Sequence, residues 1–485
     1  MKTLILEVSL LNSFSITMSF KYCLVFVLLL NLFLGRAQEG NYKFNNFGNR
    51  SILLVGNVTG SVSDLGLTYY NPSFLANTDN VGFSLNAKAY QLVNLKLKSS
   101  TIDDAQISST KFNSASTMAG GVFNLFNTRF AYSYLTKSNN NTNISYSKSY
   151  LNDDILNQFP NAKNHHANIN LNTDLKDDWT GGSWAYKVNE NFNLGVSAFV
   201  SLYKYGGSSL VNHIVESGDD DIAFYQNTVS FNQKSYGLFM KLGANYKFPK
   251  FVVGLNINLP YLEVVKDGSF SYSKIVSGVG PGSNQYLDYN FDDLTAKRKV
   301  PLGISVGTGI PINRGKFHLN IDYITSMTKY TRLTIPDIDT GSGEQEPVNF
   351  DEERKAVLNI GIGVEYRLRD NLKAYGGFST DFNSLKNSAN IFDISTSENK
   401  SINTGEDFYH LSAGIDWKLK WLSIISGITN TNSSTSFVSP YTINFGDSNI
   451  TNEPNTQLKY TRWQFVIGID VPILNKKLKS FSSED

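Results

Sequence analysis

The sequence predicts an all-β fold: a transmembrane antiparallel β-barrel of about 14 strands with an N-terminal plug segment. Three observations predict it. From about residue 81, apolar residues alternate with polar ones, the period of strands with one apolar face. Six short connections alternate with seven long polar ones, and those thirteen connections join fourteen strands, an even number as bacterial single-chain barrels require. Only 18% of the 485 residues are charged, while 26 Tyr, 32 Phe and 37 Gly suit strands and polar loops better than helices. The mean hydropathy of −0.22 is too low for a helical membrane protein. It is ordinary for a barrel, where only alternate residues face lipid.

The chain opens on an export signal, residues 1–37. Met18-Ser19-Phe20-Lys21 supplies a positive start, and Met18 is a possible true first residue. Tyr22 to Leu34 is an apolar run with only Asn31 polar, too short to span comfortably, and Gly35-Arg36-Ala37 offers small residues for cleavage before Gln38. The single cysteine, Cys23, falls inside this signal. The mature chain then has no disulfide, thiol nucleophile or cysteine metal site. Removing Lys2, Lys21, Arg36 and Glu7 takes 43 positive and 42 negative residues to 40 and 41, a net of −1. So balanced a charge gives no field for nucleic acid.

Residues 38–80 lack sustained alternation and read as the plug, inside or beneath the barrel. Their centre is Asp64-Leu65-Gly66-Leu67-Thr68-Tyr69-Tyr70-Asn71-Pro72-Ser73-Phe74-Leu75-Ala76. Asn71-Pro72 breaks any strand ladder and starts a turn. Tyr69, Tyr70, Phe74 and Leu75 are expected near the contact of plug and wall, where they would line a pocket for an apolar ligand. The alternative is that these four side chains only pack the plug against the barrel.

Residues 81–472 read as the barrel. In 192–203, Phe192, Leu194, Val196, Ala198, Val200 and Leu202 oppose Asn193, Gly195, Ser197, Phe199, Ser201 and Tyr203. In 358–369, Leu358, Ile360, Ile362, Val364, Tyr366 and Leu368 oppose Asn359, Gly361, Gly363, Glu365, Arg367 and Arg369. The apolar rows would face lipid, and Trp184, Tyr186, Tyr246, Phe248, Tyr366, Trp417, Trp421 and Trp463 would form interfacial girdles. The polar rows, with Asn193, Ser197, Ser201, Asn256, Asn258, Asn320, Asp322, Glu365, Arg367 and Asp416, would make a wet lumen wall. The long segments 98–115, 138–178, 206–234, 265–297, 331–354, 383–406 and 433–457 read as extracellular loops, and residues 473–485 as a periplasmic tail.

Tyr-Tyr-Asn-Pro-Ser-Phe-Leu-Ala at 69–76 resembles the Asn-Pro-Ala-Gly-Leu-Ala segment near the mature N-terminus of FadL/TodX-type transport proteins, with Ser73-Phe74 in place of the small pair. The order of plug, barrel and last strand at 459–471 is similar too. The resemblance implies a fourteen-stranded barrel of the bacterial outer membrane and passive uptake of a hydrophobic small molecule, such as a long-chain fatty acid or an aromatic hydrocarbon. It requires no cofactor. Its partners are the ligand and outer-membrane lipids, with a protein partner on the long loops as the alternative of a scaffold for secretion or surface attachment. A soluble secreted β-protein is the third reading.

No catalytic or metal constellation emerges. His165-His166 reads as part of a solvated loop with Asp174, Asp177 and Asp178 downstream, short of a tight ligand set. Asp219-Asp220-Asp221 and Ser277-Gly278-Val279-Gly280-Pro281-Gly282 read as loop tips. His318 and His410 fall on lumen rows, and His410 with Ser412 on one face is too little for a hydrolase.

Overall fold

A ring of fourteen antiparallel strands closes around the N-terminal segment in the computed structural model of the chain. The structure describes residues 40–78, 82–98, 107–125, 128–150, 162–217, 221–278, 282, 284–386, 406–438 and 455–471. The signal, the C-terminal tail, Asp219-Asp220 and Val279-Gly280-Pro281 lie outside the described residues.

The strands are β1 (Phe83–Lys98), β2 (Ile107–Leu125), β3 (Thr128–Tyr150), β4 (Ala162–Lys187), β5 (Phe192–Ser217), β6 (Ile222–Lys247), β7 (Val252–Asn258), β8 (Leu262–Ser277), β9 (Gln285–Phe291), β10 (Gly303–Ile312), β11 (Gly315–Ile324), β12 (Met327–Thr334), β13 (Ile338–Asp339), β14 (Gln345–Glu346), β15 (Asn349–Arg354), β16 (Val357–Arg369), β17 (Leu372–Asp381), β18 (Phe408–Lys418), β19 (Ser423–Val438) and β20 (Asn455–Val471). The ring runs β1 to β7, then β10, β11 and β16 to β20, and β20 pairs back onto β1. Closure leaves no ladder edge facing lipid.

The alternation does in the structure what a membrane demands. Leu358, Ile360, Ile362, Val364, Tyr366 and Leu368 of β16 are between 39% and 52% exposed, while Asn359 at 0% faces inward. This is the inverse of a soluble sheet, where the apolar row is the buried one. Trp184, Tyr186, Tyr246, Phe248, Tyr366, Trp417, Trp421 and Trp463 are all exposed.

The inward rows correct the expectation of a wet wall. Asn193, Ser197, Asn256, Asn320 and Asp416 are buried where the plug fills the barrel, and Ser201 is buried under Arg298 of the inward 292–302 turn. The plug is short turns rather than long elements: a 3-10 turn Ser51–Leu54, a one-turn helix α1 (Leu67–Tyr70) and a second 3-10 turn Pro72–Asn77. Its carbon core of Phe47, Ile52, Leu53, Leu54, Leu65, Leu67 and Leu75 merges with wall residues Met118, Leu135, Phe199 and Ile425. Wall glycines make the fit possible. A Cβ on Gly361 would lie 1.8 Å from Asn57 Oδ1, and one on Gly254 would lie 2.0 Å from the Thr59 carbonyl.

Several expected loops are strand. Residues 138–150 and 162–178 pair across β3 and β4, and 206–217 pair with 222–234 across β5 and β6. At 26 residues each, β4, β5 and β6 run about 86 Å, far beyond the 9–11 residues that a bilayer needs. Above the membrane both faces are polar or covered, so the two-residue alternation fades there. Segment 331–354 folds inside this extension as the β12–β15 and β13–β14 pairs. It builds a second core of Tyr205, Phe231, Phe270, Tyr272, Leu333, Ile338 and Phe350.

Two wall strands are interrupted. β7 pairs with Lys241–Lys247 of β6 and β8 with the part above it; Leu259-Pro260-Tyr261 lie between, where proline lacks a ladder N–H. Between β9 and β10, residues 292–302 turn inward, burying Ala296 and Arg298. The β2–β3 ladder covers only Met118–Leu125 against Thr128–Leu135. Above it, among the described residues, β2 pairs only with β1 and β3 only with β4, leaving a slit bridged by Ser109 Oγ to the Asn143 carbonyl at 2.9 Å.

Candidate functional site

A cavity of about 120 Å³ lies between the plug and the wall. Tyr69 and Tyr70 from α1 form one side, and Trp179 of β4 and Phe239 of β6 the other. Trp179 and Phe239 stack with centroids 4.3 Å apart, and Tyr69 lies 5.9 Å from Trp179. The aromatic walls carry a charged rim of Lys43, Lys137, Lys241 and Arg298 with the carboxylates Asp177 and Asp322.

Each of these contacts has a local cause. Lys241 projects from the inner row of β6 and sits 3.7 Å over the Tyr69 ring, donating to Asn258 Oδ1 at 2.7 Å. Lys43 of the plug pairs with Asp322 of β11 at 2.8 Å. Arg298 is carried in by the 292–302 turn. It pairs with Asp177 at 2.6 Å, donates to Ser201 Oγ at 2.9 Å, and lies 3.8 Å over Tyr203. A buried guanidinium is tolerable when a carboxylate and a hydroxyl meet its Nη groups, as Asp177 and Ser201 do here. The cavity suits an apolar body held between rings; a dry apolar cavity of roughly 150 Å³ accepts a benzene.

The structure separates the six residues singled out in the sequence. Tyr69 and Tyr70 line the cavity. Tyr70 is fixed there, its hydroxyl accepting from the Phe47 N–H at 3.0 Å and donating to Asn46 Oδ1 at 3.2 Å. Asn71, Pro72, Phe74 and Leu75 do not line it. Asn71 Nδ2 donates to the carbonyls of Thr59 (2.8 Å) and Ala244 (3.0 Å), and its Oδ1 accepts from Ser73 N–H and Oγ–H. Pro72 seats against Gly195 and Gly243 of the wall. Leu75 is fully buried in the shared core, and Phe74 packs against it.

Sequence reading missed Trp179, Phe239, Lys241, Lys43 and Arg298. Phe239 did carry a signal, since it stands on the inner row with Lys241, Gly243 and Asn245. Trp179 and Arg298 did not, because they sit in or beside stretches taken for loop.

The plug is anchored by charge as well. Arg50 pairs with Asp416 of β18 at 2.7 Å and Asp470 of β20 at 3.1 Å. Asp64, fully buried, accepts from the backbone N–H groups of Arg50, Ser51 and Gly66 and so folds the plug on itself.

His318 and His410 stand on inward rows as expected, but the histidine pair does not stand where it was expected. His165 and His166 are on β4, not in a loop. Their side chains alternate: His165 is buried with Nε2 2.8 Å from His213 Nδ1, while His166 meets Ser147 and Ser149. His410 bonds Thr431 and faces Asp381, whereas Ser412 donates to the Leu53 carbonyl, so those two form no catalytic pair. His318 Nδ1 lies 2.6 Å from Ser61 Oγ, on the plug.

Fold and site together define a membrane-spanning β-barrel closed by its own N-terminal segment, the architecture of bacterial outer-membrane barrels. Solved structures share it. The FadL homologue of Pseudomonas aeruginosa is similar with a TM-score of 0.53 at 12% identity, over 90% of this chain and 99% of that one. The Pseudomonas putida toluene transporter TodX is similar with a TM-score of 0.55 at 13% identity, over 90% of this chain and all of that one. The fold is therefore that of FadL-type barrels. No known family's sequence profile matches the chain, and no curated protein matches it in sequence.

Proposed function

We propose that this chain is an outer-membrane channel for passive uptake of hydrophobic small molecules, such as long-chain fatty acids or aromatic hydrocarbons. The observation that carries this is the aromatic cavity enclosed by Tyr69, Tyr70, Trp179 and Phe239 at the junction of plug and wall. One structural neighbour is by name a toluene transporter, which agrees with it. The ligand enters from the extracellular side and rests in the cavity. It leaves when the plug shifts or sideways through the β2–β3 slit. The ligand's own concentration gradient drives the flux, and binding along the path only lowers the barriers, with no nucleotide and no catalytic group.

The test is uptake of a labelled long-chain fatty acid and, in parallel, labelled toluene by cells with and without the protein. Protein-dependent uptake of either is the expected result, and Phe239→Ala should lower it by roughly tenfold, as loss of a buried ring contact does. No uptake of either, with the barrel folded in the outer membrane, would refute the proposal. It would favour the scaffold reading, for which the 26-residue strands β4 to β6 offer a platform above the membrane.

A further inference from the structure

Above the cavity, in the second core, Arg332 of β12 is only 3% exposed. Its guanidinium lies over three rings, 4.7 Å from Tyr205, 5.2 Å from Phe231 and 5.6 Å from Phe350. Two other buried arginines have an acid, Asp177 for Arg298 and Glu352 for Arg354, and Arg462, which has none among the described residues, is held instead by the Phe44 carbonyl, Asn45 and Thr431. No carboxylate among the described residues lies within 4.0 Å of Arg332, and its Nη2 has no hydrogen-bond partner there. The nearby acids are engaged, Glu352 by Arg354 and Asp351 by Thr331 and Lys329.

Two hydroxyls in the same core share this condition. Tyr205 Oη and Tyr330 Oη are buried without a hydrogen-bond partner among the described residues. Tyr330 stands two residues before Arg332 on β12, and its ring carries Lys299 at 4.6 Å. Burial drives the Tyr330 phenol well above its usual range, so it stays a donor. Guanidinium and phenols offer N–H and O–H donors, the set that an anion requires and a cation does not. A buried cation facing only ring faces is costly, and an anion removes that cost.

We propose that Arg332, Tyr205 and Tyr330 form an anion site in the extracellular lobe that receives the carboxylate of an amphipathic ligand. Leu333, Ile335, Val348 and Phe350 surround it with carbon, so the anion that fits carries an apolar body. Tyr205 stands two residues beyond Tyr203, on whose ring Arg298 lies. The site is therefore one strand step of about 6.6 Å outward from the roof of the cavity. An entering carboxylate passes from Arg332 toward Lys241 and Lys43 while its tail stays against rings. That passage rests on the uptake reading; the anion site does not.

The experiment measures laurate, 1-dodecanol and inorganic phosphate binding to the purified barrel in phosphatidylcholine nanodiscs. Wild type is compared with Arg332→Met and Arg332→Lys, each also on a Lys241→Met background to remove the inner cation. The expected result is laurate binding about tenfold weaker in Arg332→Met, partly restored in Arg332→Lys, with dodecanol changed less than about twofold. Phosphate binding lost with Arg332 would support the site and identify a free inorganic anion as its occupant. Unchanged binding of all three probes would overturn it. The thermal midpoint separates folding from binding: without ligand, Arg332→Met should match or exceed wild type, because methionine fills the cage with no charge to compensate. A lower midpoint with no loss of anion binding would make Arg332 structural and also overturn the proposal. Binding lost in vitro without any uptake in cells would keep the site and refute only the uptake reading.

Discussion

Asn71 shows how one side chain fixes the position of a whole plug. Its amide donates to a plug carbonyl and a wall carbonyl and accepts twice from Ser73, whose Oγ in turn accepts from Asn245 of β6. Alanine at 71 leaves the buried Thr59 carbonyl without its donor, at about 1–3 kcal/mol for a group left unsatisfied, and also removes the tie to the wall at Ala244. Asn71→Ala should therefore lower the thermal midpoint and admit a small hydrophilic dye that wild type excludes. Pro72→Ala, which loses only chain stiffening, should change both by much less. Dye exclusion equal to wild type in Asn71→Ala would show that this contact does not hold the plug. The importance of Asn71 was legible in the sequence as a strand-breaking Asn-Pro. Its partners were not, because Ala244 lies 173 positions away and a backbone carbonyl has no sequence signature.

At the scale of elements, legibility followed the solvent. Strands β16 to β20 cross the apolar band, so lipid enforces strict alternation and the sequence displays it. In β3 to β6 the extracellular halves are polar outward and capped inward by 331–354, so they read as loops although they are paired strand. The strand number survived this error because turns mark where strands reverse and not how long they are. The β2–β3 slit is an element-scale feature of the same kind, found only by asking which ladder bonds exist. Ser109 and Asn143 face each other across it. A Ser109→Cys, Asn143→Cys pair, made together with Cys23→Ser so that no other cysteine is present, should crosslink on oxidation. If ligand leaves sideways here, oxidation should cut uptake by roughly tenfold and reductant should restore it, whereas exit through the plug would leave uptake indifferent to the crosslink.

For the whole molecule, the barrel is two regimes joined end to end: a lipid-facing ring held by the plug, and an extracellular lobe with its own core. The lobe is where pH acts. His213 lies beyond the apolar band, buried beside His165, and burial first and the second imidazole next hold its pKa down to about 3, against an ordinary 6.5. Above pH 6.5 the closed and opened lobes are both neutral there, and nothing is lost. As pH falls below 6.5 the opened lobe binds a proton that the closed lobe refuses, so stability drains away until about pH 3. At pH 4.5 the loss is about 2–3 kcal/mol, enough for local opening without unfolding the ring. Hydrogen exchange, corrected for intrinsic rates, should show amides of 206–217 and 222–234 losing protection between pH 7 and 4.5 while those of β16 to β20 do not. His213→Asn should flatten that dependence. Equal protection of the lobe at both pH values in wild type would mean that His213 does not couple protonation to opening, and the two regimes would then be one cooperative unit.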